Sequence, residues 1–315
     1  MNLHQFRFIQ EAVRRKLNLT ETAKALFTSQ PGVSKAIIEL EEELGIDIFV
    51  RHGKRLRRVT EPGLEVLKSV DIIMREVANL KRIGEQFSMQ DAGTLSIATT
   101  HTQARYFLPE PVAQLRKRFP KVQVVLHQGM PSQVAQMLLD DVADIGVATE
   151  ALADYDELVT LPCYEWQHMM VVPPTHALAG VERPTLEQLA SYPLVLYHPT
   201  VTGRTRIDQA FARARLKLTV AIEAIDSDVI KTYVKLGMGV GIVAELAVRD
   251  EPPGGELVAR PLGHLFGANV TRVAFKKGAY LRQFVFSFAE QLSDRLAPAL
   301  IQRAMSGVGS SDYEL

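Results

Sequence analysis

The chain has 315 residues, its 36 lysines and arginines are balanced by 36 aspartates and glutamates, and 47% of its residues are hydrophobic. This length suggests about two domains, and the ordinary hydrophobic content excludes a wholly disordered chain. A single cysteine excludes an internal disulfide framework, and no run of 18 apolar residues is present to span a membrane. The first residues also lack the apolar run and cleavage site of a signal peptide, so we expect a cytoplasmic protein with no membrane partner.

The balanced overall charge conceals a basic N-terminal segment. Residues 1–60 contain 11 lysines and arginines against 7 acidic residues, which gives a net charge of +4. Within them, RHGKRLRR (residues 51–58) carries five basic residues and no acidic one. A solvated basic loop explains such a run as well as a nucleic-acid contact does, so its meaning depends on the elements around it.

Two short helices with a tight connection are predicted over residues 19–44, after a first helix over residues 3–15. Thr20 is the expected N-cap of the first of the two, Ser29 caps the second, and Gly45 ends it. The second helix has one apolar stripe, formed by Val33, Ile37, Leu40 and Leu44. This pattern is typical of a helix-turn-helix motif, although three ordinary core helices would give it too.

The segment then combines a polar helix start with a basic hairpin. Glutamine and serine can hydrogen-bond base edges, and lysine can bond guanine or phosphate. The predicted base-reading residues are Ser29, Gln30, Pro31, Ser34 and Lys35. Alternating apolar residues on either side of a turn at His52 and Gly53 predict a wing. Its predicted phosphate contacts are Arg51, Lys54, Arg55 and Arg57. A helix-turn-helix followed by a basic wing predicts DNA binding.

A long helix is predicted from Thr60 to about Phe87. Apolar positions in it step by 4 and 3 residues as a heptad seam, comprising Val66, Val70, Ile73, Val77, Leu80, Gly84 and Phe87. A second row, formed by Leu64, Leu67 and Met74, is expected to pack on the DNA-binding module. The seam predicts a dimer through residues 64–87 that presents two modules to two half-sites, with packing on the domain's own core as the alternative.

After a polar hinge at residues 90–93, predicted strands and helices alternate. One helix is expected over roughly 102–118, directly after the strand LSIATT. Such alternation predicts βαβ units and mostly parallel sheets, and two successive sets of elements suggest two lobes.

Three predicted strands end in hydroxyl or amide side chains without an acidic residue. These side chains are Thr100, Thr102 and Gln103 after LSIATT, Thr149 after ADIGVA, and Thr202 after PLVLY. Ligands of open α/β sheets bind at such strand ends beside helix N-termini, so we expect the set to converge on a small oxyanion. Each threonine taken singly is equally consistent with an N-cap or a strand-end hydroxyl. The helix start at Asp226 and Asp228 brings its own carboxylates and is expected to be a poor anion site.

Enzymatic sites have little support in the sequence. Cys163 lacks a local base and orienting group, so a buried structural thiol is expected. The histidines do not form the helical zinc signature, and GMGVG (residues 237–241) follows a helix rather than a strand, the reverse of a dinucleotide loop. We therefore predict no enzymatic activity, no cofactor and no metal.

The segment TAKALFTSQPGVSKAIIELEEELGIDIFVRHGKRLRRVTEPG resembles the DNA-binding region of LysR-type transcriptional regulators. TTHTQARYFLP, LPCYEW, VTGRT and DSDVIKTYVKLGMGVGIVAE are similar to the CysB and Cbl branch of that family, which regulates sulfur assimilation. The resemblance implies an N-terminal all-α winged helix-turn-helix (residues 1–59), a linker and dimerisation helix (60–88) and an α/β, two-lobed, periplasmic-binding-protein-like effector domain (89–315). Lobe I would comprise about 91–162 and 267–295, and lobe II about 163–266.

The resemblance also implies partners and a ligand. The partners would be promoter DNA, RNA polymerase and further copies of the chain in a homotetramer. Thr100, Thr102, Gln103, Thr149 and Thr202 would hold sulfate or an acetylserine-type inducer, with Trp166 near the same cleft. The loop HPTVTG (198–203) departs from the branch and leaves sulfate, acetylserine and a sulfated nucleotide open as effectors. The alternative is a solute-binding or enzymatic α/β protein with an unrelated N-terminal helical domain.

Overall fold

The computed structural model describes residues 1–53, 55–88, 92–200, 202–252 and 255–307, with no description of the side chains of Glu150 and Thr202. The chain forms two compact units, Met1–Gly84 and Glu85–Leu315. Within the described ranges, no helix combines the length and the apolar character needed to cross a membrane.

The first unit consists of three helices, a two-stranded antiparallel hairpin and one long helix. The elements are α1 (Leu3–Arg14), α2 (Leu19–Ala25), α3 (Gln30–Leu44), β1 (Phe49–His52), β2 (Arg55–Val59) and α4 (Glu61–Ser88). Ile9, Ile37 and Leu56, from α1, α3 and the hairpin, lie in one buried core. This order of elements confirms the predicted winged helix-turn-helix.

The helix ends confirm two predicted caps and correct a third. The Ser29 hydroxyl accepts a main-chain N–H of the first turn of α3 at 3.2 Å, and Gly45 ends that helix at φ +69°. The N-cap of α2 is Asn18 rather than Thr20, because the Asn18 side-chain oxygen accepts two N–H groups of the first turn. Asparagine is among the strongest N-cap residues, so the helix begins at Leu19.

The long helix α4 packs differently from the predicted two-row arrangement. Val70, expected in the dimer seam, is 2% exposed and lies in the core of the first unit beside Leu67. Leu64, expected to pack on the module, is 51% exposed. Two apolar rows lie side by side on this helix, and the row that faces the core takes members from both predicted rows. The large apolar side chains left exposed beyond Val70 are Ile72, Ile73, Leu80 and Phe87.

The second unit is an α/β structure built on nine described strands. They are β3 (Ala92–Thr99), β4 (Lys121–Gln128), β5 (Ile145–Thr149), β6 (Leu158–Val172), β7 (Leu194–Tyr197), β8 (Val220–Ala224), β9 (Val240–Ala244), β10 (Val258–Pro261) and β11 (Ala268–Lys276). The helices are α5 (His101–Tyr106), α6 (Pro109–Arg118), α7 (Pro131–Leu139), α8 (Leu186–Ala190), α9 (Thr202–Arg213), α10 (Ser227–Lys235), α11 (Gly263–Phe266), α12 (Gln283–Leu292) and α13 (Pro298–Met305).

The strand order is β4-β3-β5-β11-β6-β9-β7-β8, with β10 also paired to β6. The outer strands are parallel: β3 pairs with β4 and β5, and β7 with β8 and β9. The central pairs made by β6 and β11 are antiparallel, so the expectation of mostly parallel sheets is wrong there. The reason is that β6 leaves one half of the unit and β11 returns to it, and two strands that run in opposite directions pair antiparallel.

Strand β6 belongs to both halves of the unit. Up to Gln167 it pairs with β11, and from His168 it pairs with β9. Separate buried clusters lie on the two sides, one around Leu95 and Phe275 and another around Leu196. The predicted two-lobed α/β architecture is confirmed.

The single helix expected over 102–118 is two helices, α5 and α6. The break falls at Phe107 and Leu108, immediately before Pro109. Proline disfavours the helical conformation of the residue before it, and its fixed φ suits the first position of a new helix.

Candidate functional site

The predicted base-reading residues occupy the start of α3. Ser29 and Pro31 are exposed there, and Gln30 and Ser34 are half-buried. Lys35 is exposed and its ammonium lies 3.6 Å from the Glu39 carboxylate. The opposite face of α3 is buried in the core, so this face is the part of the helix that a DNA groove can reach.

The wing carries alternating basic and apolar side chains. Arg55 and Arg57 are exposed on β2, whereas Leu56 between them is 6% exposed and belongs to the core. This alternation is the two-residue period of a strand that has one buried face. Lys54, the remaining predicted contact at the tip, lies outside the described residues.

Arg51 has an internal partner. Its guanidinium Nη2 lies 2.8 Å from a carboxylate oxygen of Glu41, which is 7% exposed. The other carboxylate oxygen of Glu41 accepts the main-chain N–H groups of Ile48 and Phe49 at 2.9 and 3.0 Å. Glu41 therefore ties the end of α3 to the start of the wing, a role that the sequence pattern did not indicate.

A cavity of about 290 Å³ opens in the second unit. Its walls include five of the predicted effector-binding residues: Thr100, Thr102, Gln103, Thr149 and Trp166. Thr202 begins α9, and its side chain is outside the description; the next residue, Gly203, lines the cavity. The carboxyl ends of β3, β4 and β5 and the starts of α5, α7, α9 and α10 meet at these walls.

Hydrogen bonds hold several of the polar side chains that line the cavity in place. The buried Gln103 amide donates to the Thr271 hydroxyl at 3.3 Å and accepts the Tyr164 hydroxyl. The Tyr197 hydroxyl lies 2.5 Å from the Ser227 hydroxyl and accepts the Ala244 main-chain N–H at 3.0 Å. By contrast, the Thr100 hydroxyl makes no capping bond at the start of α5.

The cavity contains one carboxylate that the sequence analysis had assigned to a poor anion site. Asp226 lines the wall while its side chain accepts the Val229 N–H at 2.9 Å as the cap of α10. No lysine or arginine is among the described residues that line the cavity. Among the described residues, the walls therefore offer mainly uncharged donors together with the Asp226 carboxylate, a group that the three strand ends without an acidic residue did not predict.

Two lining residues had a signal in the sequence that was not used. Gln128 ends β4 beside the carboxyl end of β3, so the strand-end rule that selected the threonines also points to it. Tyr197 is the last residue of β7 and follows the same rule. Met130, at the start of α7, has no comparable signal.

One cluster near the cavity has metal-ligand chemistry. His101, Asp226 and Asp228 bring ligand atoms within 4.8 Å of one another. Two cations already accompany Asp228, since the Lys231 ammonium lies 3.6 Å and the Arg105 guanidinium 3.9 Å from its oxygens. These cations oppose binding of a further positive ion.

Cys163 is buried, as expected for a structural thiol. Burial raises the pKa of this thiol to about 12, so the reactive thiolate is disfavoured at neutral pH.

Comparison with known families gives two matches. Residues 3–64 match the bacterial regulatory helix-turn-helix protein, lysR family, and residues 88–297 match the LysR substrate binding domain. The first match overturns the alternative in which the N-terminal helices are unrelated to a regulator.

Individual relatives are similar over the whole chain. The HTH-type transcriptional regulator CysB of Burkholderia cenocepacia is 56% identical over 315 residues and covers 100% of both chains. The regulator cbl of Escherichia coli is 44% identical over 317 residues, again with 100% of both chains covered. The crystal structure of the cofactor-binding domain of the Cbl transcriptional regulator has a TM-score of 0.64 and 42% identity, covering 68% of this chain and 93% of that one.

We expect Glu41→Ala to lower the free energy of unfolding of the first unit by about 2–4 kcal/mol, because it leaves two N–H groups and a guanidinium without their acceptor. Glu39→Ala is the matched control on the same helix; its loose, exposed pair with Lys35 predicts a change below about 0.5 kcal/mol. Urea denaturation of the purified variants measures both. Equal effects of the two substitutions would contradict the assigned role of Glu41.

Proposed function

The chain belongs to the LysR family of bacterial transcriptional regulators, and from this premise we propose that it regulates genes of sulfur assimilation in response to a small anionic or sulfur-linked effector. The observation that carries the proposal is the convergence of five predicted effector-binding residues on one cavity of about 290 Å³. The full-length similarity to CysB and cbl regulators supports the choice of pathway.

The chemistry of the walls supports an anionic group in the effector. Hydroxyl and amide donors of Thr100, Thr102, Gln103 and Thr149 surround the space, with helix starts beside them. In a site shielded from water, donors aimed at an anion stabilise it without a countercharge. The Thr100 hydroxyl, which makes no capping bond at the start of α5, would donate to the anion.

The size and the single carboxylate narrow the effector further. A volume of about 290 Å³ is at the lower end for small-molecule sites, which favours sulfate or acetylserine over a sulfated nucleotide. Asp226 repels a bare anion but accepts an N–H from an amino acid derivative. We therefore favour an acetylserine-type effector whose carboxylate lies among the threonines.

For DNA, we propose that Ser29, Gln30, Pro31, Ser34 and Lys35 face base edges while the wing contacts phosphates. Arg55 and Arg57 suit that role because they are exposed and outward-facing. The guanidinium of Arg51 is shared with Glu41, so its contribution to phosphate binding would be smaller.

We further propose a dimer through α4 and an effector domain 89–315, in which lobe I comprises about 91–162 and 267–295 and lobe II about 163–266. Ile73, Leu80 and Phe87 remain exposed at steps of seven residues, the spacing of a helix–helix seam. Resemblance to the family extends this to a tetramer that contacts RNA polymerase. The effector would act by binding one arrangement of the assembly more tightly than another.

Replacing both Arg55 and Arg57 by alanine should weaken promoter binding and reduce the slope of log affinity against log salt by about 2, because each phosphate contact releases roughly one counterion. Fluorescence anisotropy at several salt concentrations measures the slope. Lys217→Ala, an exposed cation of the second unit, serves as the control and should bind like the unchanged protein. An unchanged slope in the double variant would refute the wing assignment.

Thr100→Val keeps the side-chain shape but removes a hydroxyl donor. We expect the affinity for acetylserine or sulfate to fall about 10- to 100-fold, the usual cost of a hydrogen bond to a charged group, with promoter binding in the absence of effector retained. Calorimetric titration of the full chain measures the affinity. The control is Thr232→Val, which removes a hydroxyl that donates to the main-chain carbonyl of Asp228 on α10. An effector response equal in both variants would place the ligand elsewhere.

Ile73→Glu should convert the dimer to monomers at micromolar concentration, because it places a charge in the proposed apolar seam. Sedimentation velocity reports the mass. Lys68→Glu places the same side chain at an exposed position on another face of α4, five residues from Ile73, and should leave the dimer intact. A dimeric Ile73→Glu variant would rule out this seam.

A further inference from the structure

The strand that crosses between the two lobes carries a buried aromatic pair. Trp166 lies on the part of β6 that pairs with β11, and His168 is the first residue that pairs with β9. Trp166 is 8% exposed and forms part of the cavity wall, whereas His168 is fully buried behind it. This part of the cavity wall therefore lies where β6 changes its pairing partner from β11 to β9.

The His168 ring is held on several sides. It meets the rings of Trp166 and Phe266 edge to face, with centroids 5.2 and 5.7 Å away. Its Nδ1 lies 3.4 Å from the side-chain nitrogen of the buried Asn269. Burial lowers the pKa of His168 to about 4, with the charge of Arg206 adding to the effect, so the ring is neutral at neutral pH. A ring enclosed in this way has little freedom to move.

The first turn of α9 lies directly on this pair. A Cβ added at Gly203 would be 2.8 Å from Nε2 of His168 and 3.2 Å from Cη2 of Trp166. The first distance is shorter than real Cβ contacts, the second is tighter than most of them, and the enclosed histidine ring has little room to move away. The absence of a side chain at Gly203 thus allows α9 to approach the wall, and the histidine ring sets how far it approaches.

We propose that His168 is a positioning residue for effector binding: through Gly203 it fixes the start of α9, and through its ring contact it fixes the indole of Trp166. This inference rests on the proposed function of the cavity and assigns its geometry to a side chain that no effector atom needs to touch. The indole Nε1 of Trp166 is buried and has no hydrogen-bond partner among the described residues.

The test uses the only tryptophan of the chain, Trp166, as the reporter. Full-length protein is titrated with sodium sulfate and, separately, with O-acetylserine, and the emission of Trp166 is followed. Gly203→Ala should lose about tenfold in affinity for the probe that the unchanged protein binds, and its emission maximum without ligand should shift.

The second variant, His168→Asn, removes Nε2 and Cε1, the ring atoms that the new methyl group would meet, and keeps a polar group near Asn269. In the double variant, affinity and emission should return towards those of the unchanged protein. His168→Asn alone should weaken binding about threefold, because α9 loses the surface that positions it. Gly180→Ala is the matched control, since nothing lies within 4 Å of its added Cβ.

The outcomes separate the inference from the proposed function. Wild-type affinity and emission in Gly203→Ala, or a double variant no better than Gly203→Ala, would overturn the role of His168 while leaving the effector site intact. If the Trp166 emission of the unchanged protein does not change with either sulfate or O-acetylserine, the proposed effector class is overturned instead. In that case the ligand-free emission of Gly203→Ala and of the double variant still decides the positioning claim. Should Gly203→Ala fail to fold, unchanged affinity in His168→Asn alone would refute it.

Discussion

A single strand shared by two cores is the constraint on which the second unit depends. β6 is hydrogen-bonded to β11 along its first part and to β9 along its last part, so neither lobe has a complete sheet without it. Trp166 lies beside this crossing and lines the cavity, so the proposed effector site borders the strand that both lobes share. A site on a loop of one lobe would have no such connection.

Local chemistry made the first unit predictable from its sequence. The cap at Ser29, the stop at Gly45 and the alternation around Leu56 each follow from a few neighbouring residues, and all three are present. The predictions were wrong where neighbouring residues along the chain do not determine which face of a helix is buried. Helix α4 carries two apolar rows, and periodicity cannot tell which row the core covers, so Val70 and Leu64 were assigned to the wrong faces. Glu41 was missed for a similar reason, since its partners lie beyond the end of its helix.

The cavity shows how far the strand-end rule extends. Parallel strands end at one edge of a sheet, so Thr100 and Thr149 could be placed together from sequence alone. The rule also reaches Asp226, which follows the parallel strand β8 at the start of α10. Asp226 was set aside because its carboxylate opposes an anion, and yet it lines the cavity. The return of β11 beside β6 is a long-range pairing without a local signature, so it was expected only through the family resemblance that places 267–295 in lobe I.

In the proposed effector site, the small number of charged groups would change how selectivity arises. An arginine or lysine would attract any small anion at long range and would discriminate poorly among them. Fixed hydroxyls and amides act only over a hydrogen bond, so they distinguish anions by shape and by the direction of their acceptors. Asp226 would add a penalty for ligands that lack a donor at that point, since it would then face an anion without compensation. Selection by direction requires walls that do not shift, and in our proposal the enclosed His168 ring behind Trp166 and Gly203 supplies that rigidity where α9 meets the cavity. Rigid support and uncharged donors therefore belong together, because the affinity depends more on the exact positions of the donor atoms when long-range attraction to the ligand is weak.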